Sequence, residues 1–148
     1  MAIVLPKFPR GGLSPRGVPQ KISAVMIRLQ GLHRGYMPCE SLEFHYSVNG
    51  IDTTSMNAIE ASVVWFTEGK GSEDIGVHCF QRLTGDSITQ HDWSRPMVVR
   101  TELPAAPLSY EGRLLKIRWC IRVRVYITDG TELVAQEPFF LGAITKEI

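Results

Sequence analysis

The chain has few of the features that announce a reaction or a covalent staple. Among its 148 residues are only three cysteines. Cys39, Cys79 and Cys120 lie about forty positions apart, without the close pair that marks a zinc ribbon or a redox site. Reduced, buried thiols are expected. No run approaches the roughly 18 apolar residues of a membrane span, and Met1 to Leu5 ahead of Pro6 is too short for the apolar region of a signal peptide. The expected location is therefore cytoplasmic.

A charge of one sign is missing as well. Sixteen Lys and Arg stand against fifteen Asp and Glu, a formal net charge of +1, which gives no overall field to draw the chain to nucleic acid or an anionic membrane surface. No window keeps apolar residues at helical spacing over three turns, and no stretch repeats itself, which excludes solenoids and propellers. There is no Gly-x-Ser-x-Gly elbow, and His91-Asp92 has no identifiable nucleophile. Gly69, Lys70, Gly71 and Ser72 lack the spacing and the following helix of a phosphate loop. His33, His45, His78, His91 and the cysteines keep no zinc-ligand spacing, and adjacent residues such as His78 and Cys79 point to opposite faces of a regular strand. Glu68, Glu73 and Asp74 lack the alternating oxygen ligands of a calcium loop and read as a solvated turn. No metal, cofactor or catalytic residue is expected.

What the chain does have is a period of two. Leu115, Ile117, Trp119, Ile121, Val123, Val125 and Ile127 occupy every second position of a long half-buried strand, 113–127, which needs neighbouring strands and a second apolar layer. Strand patterning recurs at 22–29, 41–48, 59–67, 75–83, 97–103 and 133–141. Asn49-Gly50 ends the second of these with a tight hairpin signal, and Asp129-Gly130 turns the long strand onto the last. The segment 59–67 is partly apolar on both faces and so reads as central, forming a hairpin with 75–83. Thr84 to Ser94 reads as an exposed connection. Residues 1–20, rich in proline, glycine and basic side chains, form an extended arm that is either loose or laid along a sheet edge or a partner. Residues 21–148 form one domain, an all-β, two-layer antiparallel sandwich of immunoglobulin-like type with about seven strands. Trp65, Trp93 and Trp119 read as core rather than as a sugar-binding platform.

The most specific local feature is the other face of the long strand. Lys116, Arg118, Arg122 and Arg124 share it with Cys120, so Trp119 is expected in the core and Arg122 at the surface. Two roles are open to these cations. They pair across strands with Glu43, Glu60, Glu132 or Glu137, or they form a strip for an anionic partner such as an acidic peptide, a phosphate or a lipid headgroup.

Several pieces fall in a familiar order. Tyr36, Pro38, Glu40 and Leu42, then Leu103-Pro104, then Ser109, Tyr110 and Gly112 feeding Ile117, Trp119, Ile121 and Val123, resemble the motifs of arrestin-like N-terminal sandwich domains. That family includes the arrestins, relatives of a retromer subunit and bacterial sporulation-control proteins. Cys39 stands where the family usually has glycine. The family ordinarily carries two such domains, and one is read here. The resemblance implies an adaptor-like, non-catalytic module with a protein partner. Unpaired strand edges separately leave homo-oligomerisation open. The rival readings are a sandwich that binds a small molecule or carbohydrate, or an enzyme.

Overall fold

The period-two segments form strands where alternation predicts them. The computed structural model describes residues 24–31, 34–71 and 73–142, with the backbone of 145 and 146. The arm at 1–20, Ile22 and His33 lie outside the described residues. In chain order the strands are β1 (Val25–Leu29), β2 (Gly35–Tyr36), β3 (Ser41–Val48), β4 (Met56–Gly69), β5 (Ile75–Thr84), β6 (Met97–Glu102), β7 (Tyr110–Glu111), β8 (Leu115–Ile127), β9 (Glu132–Leu141) and β10 (Thr145–Lys146). Among the described residues one short α-helix, α1, spans Asp86–Thr89.

Two sheets result. The smaller has the order β1-β3-β6, antiparallel throughout. The larger runs β10-β7-β8-β4-β5, with β9 also on β8 and β2 on β9. The seven expected strands are present, and the predicted hairpins β4–β5 and β8–β9 are antiparallel pairs. The long segment β8 holds the centre because it changes neighbour along its length. Tyr110 and Glu111 of β7 face Ile117 and Lys116, whereas β9 takes over from Trp119, opposite Phe139, to Tyr126, opposite Glu132. β9 in turn leaves β8 at its end, where Phe140 and Leu141 pair in parallel with Gly35 and Tyr36 of β2.

The core follows the same alternation. Leu42, Phe44, Tyr46 and Val48 of β3 are buried with Ile59, Ala61 and Val63 of β4 and with Trp119, Ile121, Val123 and Val125 of β8. Full burial of each large aliphatic or aromatic side chain contributes about 1.5–3 kcal/mol. Trp65 and Trp93 pack against this core from partly buried positions, in agreement with the core reading. Trp65 faces Gly76 across the β4–β5 pair. A β-carbon at Gly76 would come within 2.0 Å of the indole nitrogen, so only glycine leaves room for this ring.

Three corrections to the sequence reading concern the course of the chain. Asn49-Gly50 ends β3 without folding it into a hairpin; the chain crosses to the other sheet through a single 3-10 turn, Thr53–Ser55, whose amide at Thr54 is capped by Asp52. Thr84 to Ser94 is not a fully exposed connection, because α1 turns Ile88 into the core. Trp93 then donates its indole N–H to the Ile88 carbonyl at 2.9 Å and lies beside Tyr46. The third concerns His78 and Cys79, which do not point to opposite faces. The β4–β5 register slips between Val63 and Val64, as a bulge requires. Cys79 therefore packs toward the core, while His78 meets the Trp119 ring edge-on at 6.3 Å and reaches Thr101 and Glu102 of the facing sheet.

Candidate functional site

The outward face of the large sheet can be built row by row from the strand register. Arg82, Glu60, Arg124 and Val134 form one row across β5, β4, β8 and β9; Phe80, Ser62, Arg122 and Gln136 form the next. Past the bulge come Val77, Val64, Cys120 and Pro138, and then Ile75, Phe66 and Arg118. The four cations therefore lie down the middle of this face, flanked by apolar side chains as much as by acids.

Their surroundings differ along the strand. Lys116 Nζ lies 3.7 Å from Glu111. Arg118 donates from Nε to Glu68 at 2.9 Å and places Nη1 3.4 Å from Glu111. Arg124 meets Glu132 at 2.5 Å and donates to the Tyr126 hydroxyl at 3.1 Å. Of the four acids expected as partners, Glu132 takes this role for Arg124. Glu43 pairs with Arg100, Glu60 with Arg82 and Glu137 with Arg34. The contacts to Glu68 and Glu111 had no signal in the sequence, since they depend on which strands become neighbours.

Arg122 requires the largest correction. It was expected at the surface and is 2% exposed, with Arg124 at 9%. Alternation states the face of a side chain and says nothing of its depth. On a central strand of a wide sheet, Arg122 is ringed by Glu60, Ser62, Val64, Phe80 and Arg124, with which it lines a small cavity of about 40 Å³. Burial disfavours its charged form and lowers its pKa. Cys120, next along the same face, is also buried, and desolvation pushes its thiol up to about 12. A continuous solvent-facing strip of four cations is therefore not what this strand presents.

The edge of the same sheet is more open. β5 pairs with β4 on one side and, among the described residues, with no strand on the other. It runs for ten residues and exposes Ile75 at 39%, Val77 at 40% and Phe80 at 52%. Large apolar side chains in a row on an edge strand are unusual on a solvated surface, because such edges recruit other strands. Acids precede this row at Glu73 and Asp74, and Arg82 follows it.

His45, His78 and His91 each have a near neighbour. His45 contacts Glu43 at 3.1 Å, and His91 contacts the Arg95 carbonyl at 3.0 Å. His78 Nε2 lies 3.1 Å from the Thr101 hydroxyl but 2.8 Å from the Glu102 carbonyl. A ring nitrogen facing a carbonyl carries the hydrogen, so it cannot accept the Thr101 proton. No three His, Cys, Asp or Glu side chains among the described residues gather to hold a metal ion. Cys79 is partly buried, and Cys39 is exposed rather than buried as expected. Cys39 adopts φ of 66°, the left-handed region, in a turn where Glu40 N–H donates to the Met37 carbonyl. Glycine would be unstrained at that position. No described helix is long and apolar enough to cross a membrane.

No protein-family model matches the chain, and no curated protein sequence does. Comparison with solved structures gives matches of differing strength. The sporulation control protein Spo0M of Bacillus subtilis superposes with a TM-score of 0.52 at 14% identity, covering 80% of this chain and 49% of that one. A superoxide reductase (neelaredoxin) of Ignicoccus hospitalis gives 0.47 at 8% identity over 80% of each chain. A β-glucosidase of Listeria innocua gives 0.39 at 16% identity over 95% of this chain and 19% of its own. The present chain thus spans about half the length of the sporulation control protein. At that identity the likeness establishes the architecture alone: this is a two-sheet β-sandwich of the kind found in a bacterial sporulation-control protein, as the motif resemblance implied.

Proposed function

We propose that the chain is a non-catalytic, arrestin-like interaction module that accepts an extended segment of a protein partner along β5. The observation that carries this reading is the row Ile75, Val77 and Phe80, exposed on a ten-residue edge strand that pairs on one side only among the described residues. Strand addition suits such an edge. Main-chain hydrogen bonds supply affinity, and alternate side chains of the incoming segment meet the apolar row. The partner segment is therefore extended, apolar at every second position, and basic near the end that meets Glu73 and Asp74. The cations of β8 contribute less, because Lys116, Arg118 and Arg124 already have carboxylates within 4.0 Å.

Selection from a library of displayed ten-residue peptides tests this, with wild type and Val77→Lys/Phe80→Asp as parallel baits. The wild type should enrich alternating apolar peptides, and bound peptide should slow hydrogen exchange at alternate β5 amides. Equal enrichment by both baits, or protection confined to other strands, would remove β5 from the account. Peptides rich in acids, released steeply by salt, would instead return the role to the β8 cations. Concentration-dependent dimers abolished by the same variant would identify a second copy as the occupant.

A further inference from the structure

The neighbour change of β8 leaves an opening that the recognition edge does not use. At Arg118, β7 has ended and β9 has not begun, and just beyond, Phe140 and Leu141 swing away to β2. A sheet that forks in this way cannot close its own face. The gap is a cleft of about 340 Å³. Ile117, Trp119 and Phe139 line it from the core side, and Phe66, Pro138 and Phe140 from the outward side. That volume lies at the small end of the range for ligand pockets, and predominantly aromatic walls with a few polar groups are typical of them.

The polar groups define what fits. Arg118 and Glu111 both line the cleft and form an ion pair at 3.4 Å, so their charges cancel. Cys120 contributes a thiol that burial keeps protonated. Ser109 accepts the Leu141 amide at 2.8 Å through its hydroxyl oxygen and retains a hydroxyl hydrogen to donate. Gln136, at the exposed rim, offers both an amide donor and an acceptor. The interior is thus aromatic, bears no net charge, and holds hydrogen-bonding groups of both kinds. An anion would compete with Glu68 and Glu111 for Arg118, and a cation would face Arg118 itself.

We infer that the fork between β7, β8 and β9 is a binding site for an uncharged, planar ring compound of one or two rings carrying a hydrogen-bonding group. Stacking against Phe66 and Phe140 supplies affinity, and Gln136, Ser109 or Glu111 orients the polar group. This site is independent of β5.

Indole and indoleacetate, a neutral and an anionic probe of similar shape, test the inference by calorimetry and by the Trp119 indole N–H resonance, assigned through its loss in Trp119→Phe. Indole should bind saturably and shift that resonance, and indoleacetate should bind about tenfold more weakly or worse. Gln136→Trp, which plugs the exposed rim without touching the core, should weaken indole about tenfold while leaving circular dichroism unchanged. Phe140→Ala should weaken it similarly. Absence of saturable indole binding, equal binding by the plugged variant, or preference for indoleacetate would each overturn the assignment.

Discussion

Truncation of Trp119 is the sharpest test of the architecture, because this residue is where β8 exchanges one neighbour for another. Its ring is 1% exposed, lies 5.8 Å from the Phe139 ring and donates its N–H to the Pro107 carbonyl at 2.7 Å. Trp119→Ala removes two contributions. Large aromatic truncations in cores cost about 3–5 kcal/mol. The Pro107 carbonyl also loses its donor, adding about 1 kcal/mol or more unless water enters. The sum, about 4–6 kcal/mol, is a large share of the roughly 5–15 kcal/mol that holds a domain together. Trp119→Phe separates the two contributions, since it keeps a ring in the cavity and loses only the N–H and part of the area; about 1–2 kcal/mol is expected. With an m-value of about 2 kcal/mol/M in urea, the Ala variant should lower the midpoint by about 2–3 M and the Phe variant by less than about 1 M. Far-ultraviolet circular dichroism is the appropriate signal, because Trp65 and Trp93 still fluoresce in both variants. An Ala variant within about 1 kcal/mol of wild type would refute the placement of Trp119 between the sheets.

Four further outcomes are expected. Gly76→Ala should destabilise by about 1–3 kcal/mol in the same assay, since its methyl overlaps the Trp65 indole; a neutral result would contradict the β4–β5 register. Cys39→Gly should stabilise by up to about 1 kcal/mol, because the left-handed backbone there suits glycine. Tyr46→Phe should be neutral or slightly stabilising in thermal unfolding, because the buried hydroxyl has no hydrogen-bond partner among the described residues and its pKa is raised to about 12 by burial. Acid should destabilise the fold. Glu43, held low by Arg100 and His45, and Asp52, Asp92 and Asp129, held low by hydrogen bonds from Thr54, Ser94 and Thr131, all have depressed pKa values. Their contribution is present above the unfolded carboxylate range and is lost as pH falls below about 4, so a melting temperature unchanged from pH 6 to pH 3 would contradict these contacts.

The strands that alternate over many residues were legible because burial on one face leaves a mark at every second position. β2, β7 and β10 carry no such mark, being two residues long, and their pairing arises from partners remote in the chain. For the same reason the fork leaves no mark in the sequence: Phe66, Ser109, Arg118 and Phe140 meet only after three different pairings are in place. The exposed row on β5 was present in the sequence as apolar residues, but its edge position was not, since nothing local states how many neighbours a strand will have. Arg122 failed for a related reason. A charged residue in alternation is ordinarily solvated, and only the width of the finished sheet decides otherwise. Cys39 was the opposite case, a departure from a family glycine that coincides with a left-handed backbone.

The parallel pairing of β2 with the end of β9 has a consequence for how the domain assembles. Phe140 N–H donates to the Arg34 carbonyl and Gly142 N–H to the Tyr36 carbonyl, joining segments more than a hundred residues apart. Contacts of such span are made late and slow a folding reaction, because the intervening chain must be brought to order before they form. During synthesis the loop around Tyr36 emerges early and must wait, its aromatic ring without Phe139 to rest on, until the chain as far as β9 has left the ribosome. The chain is clasped at this point like a necklace, and a truncation that removes residues 138–142 should leave the early loop undocked even if every preceding strand is intact.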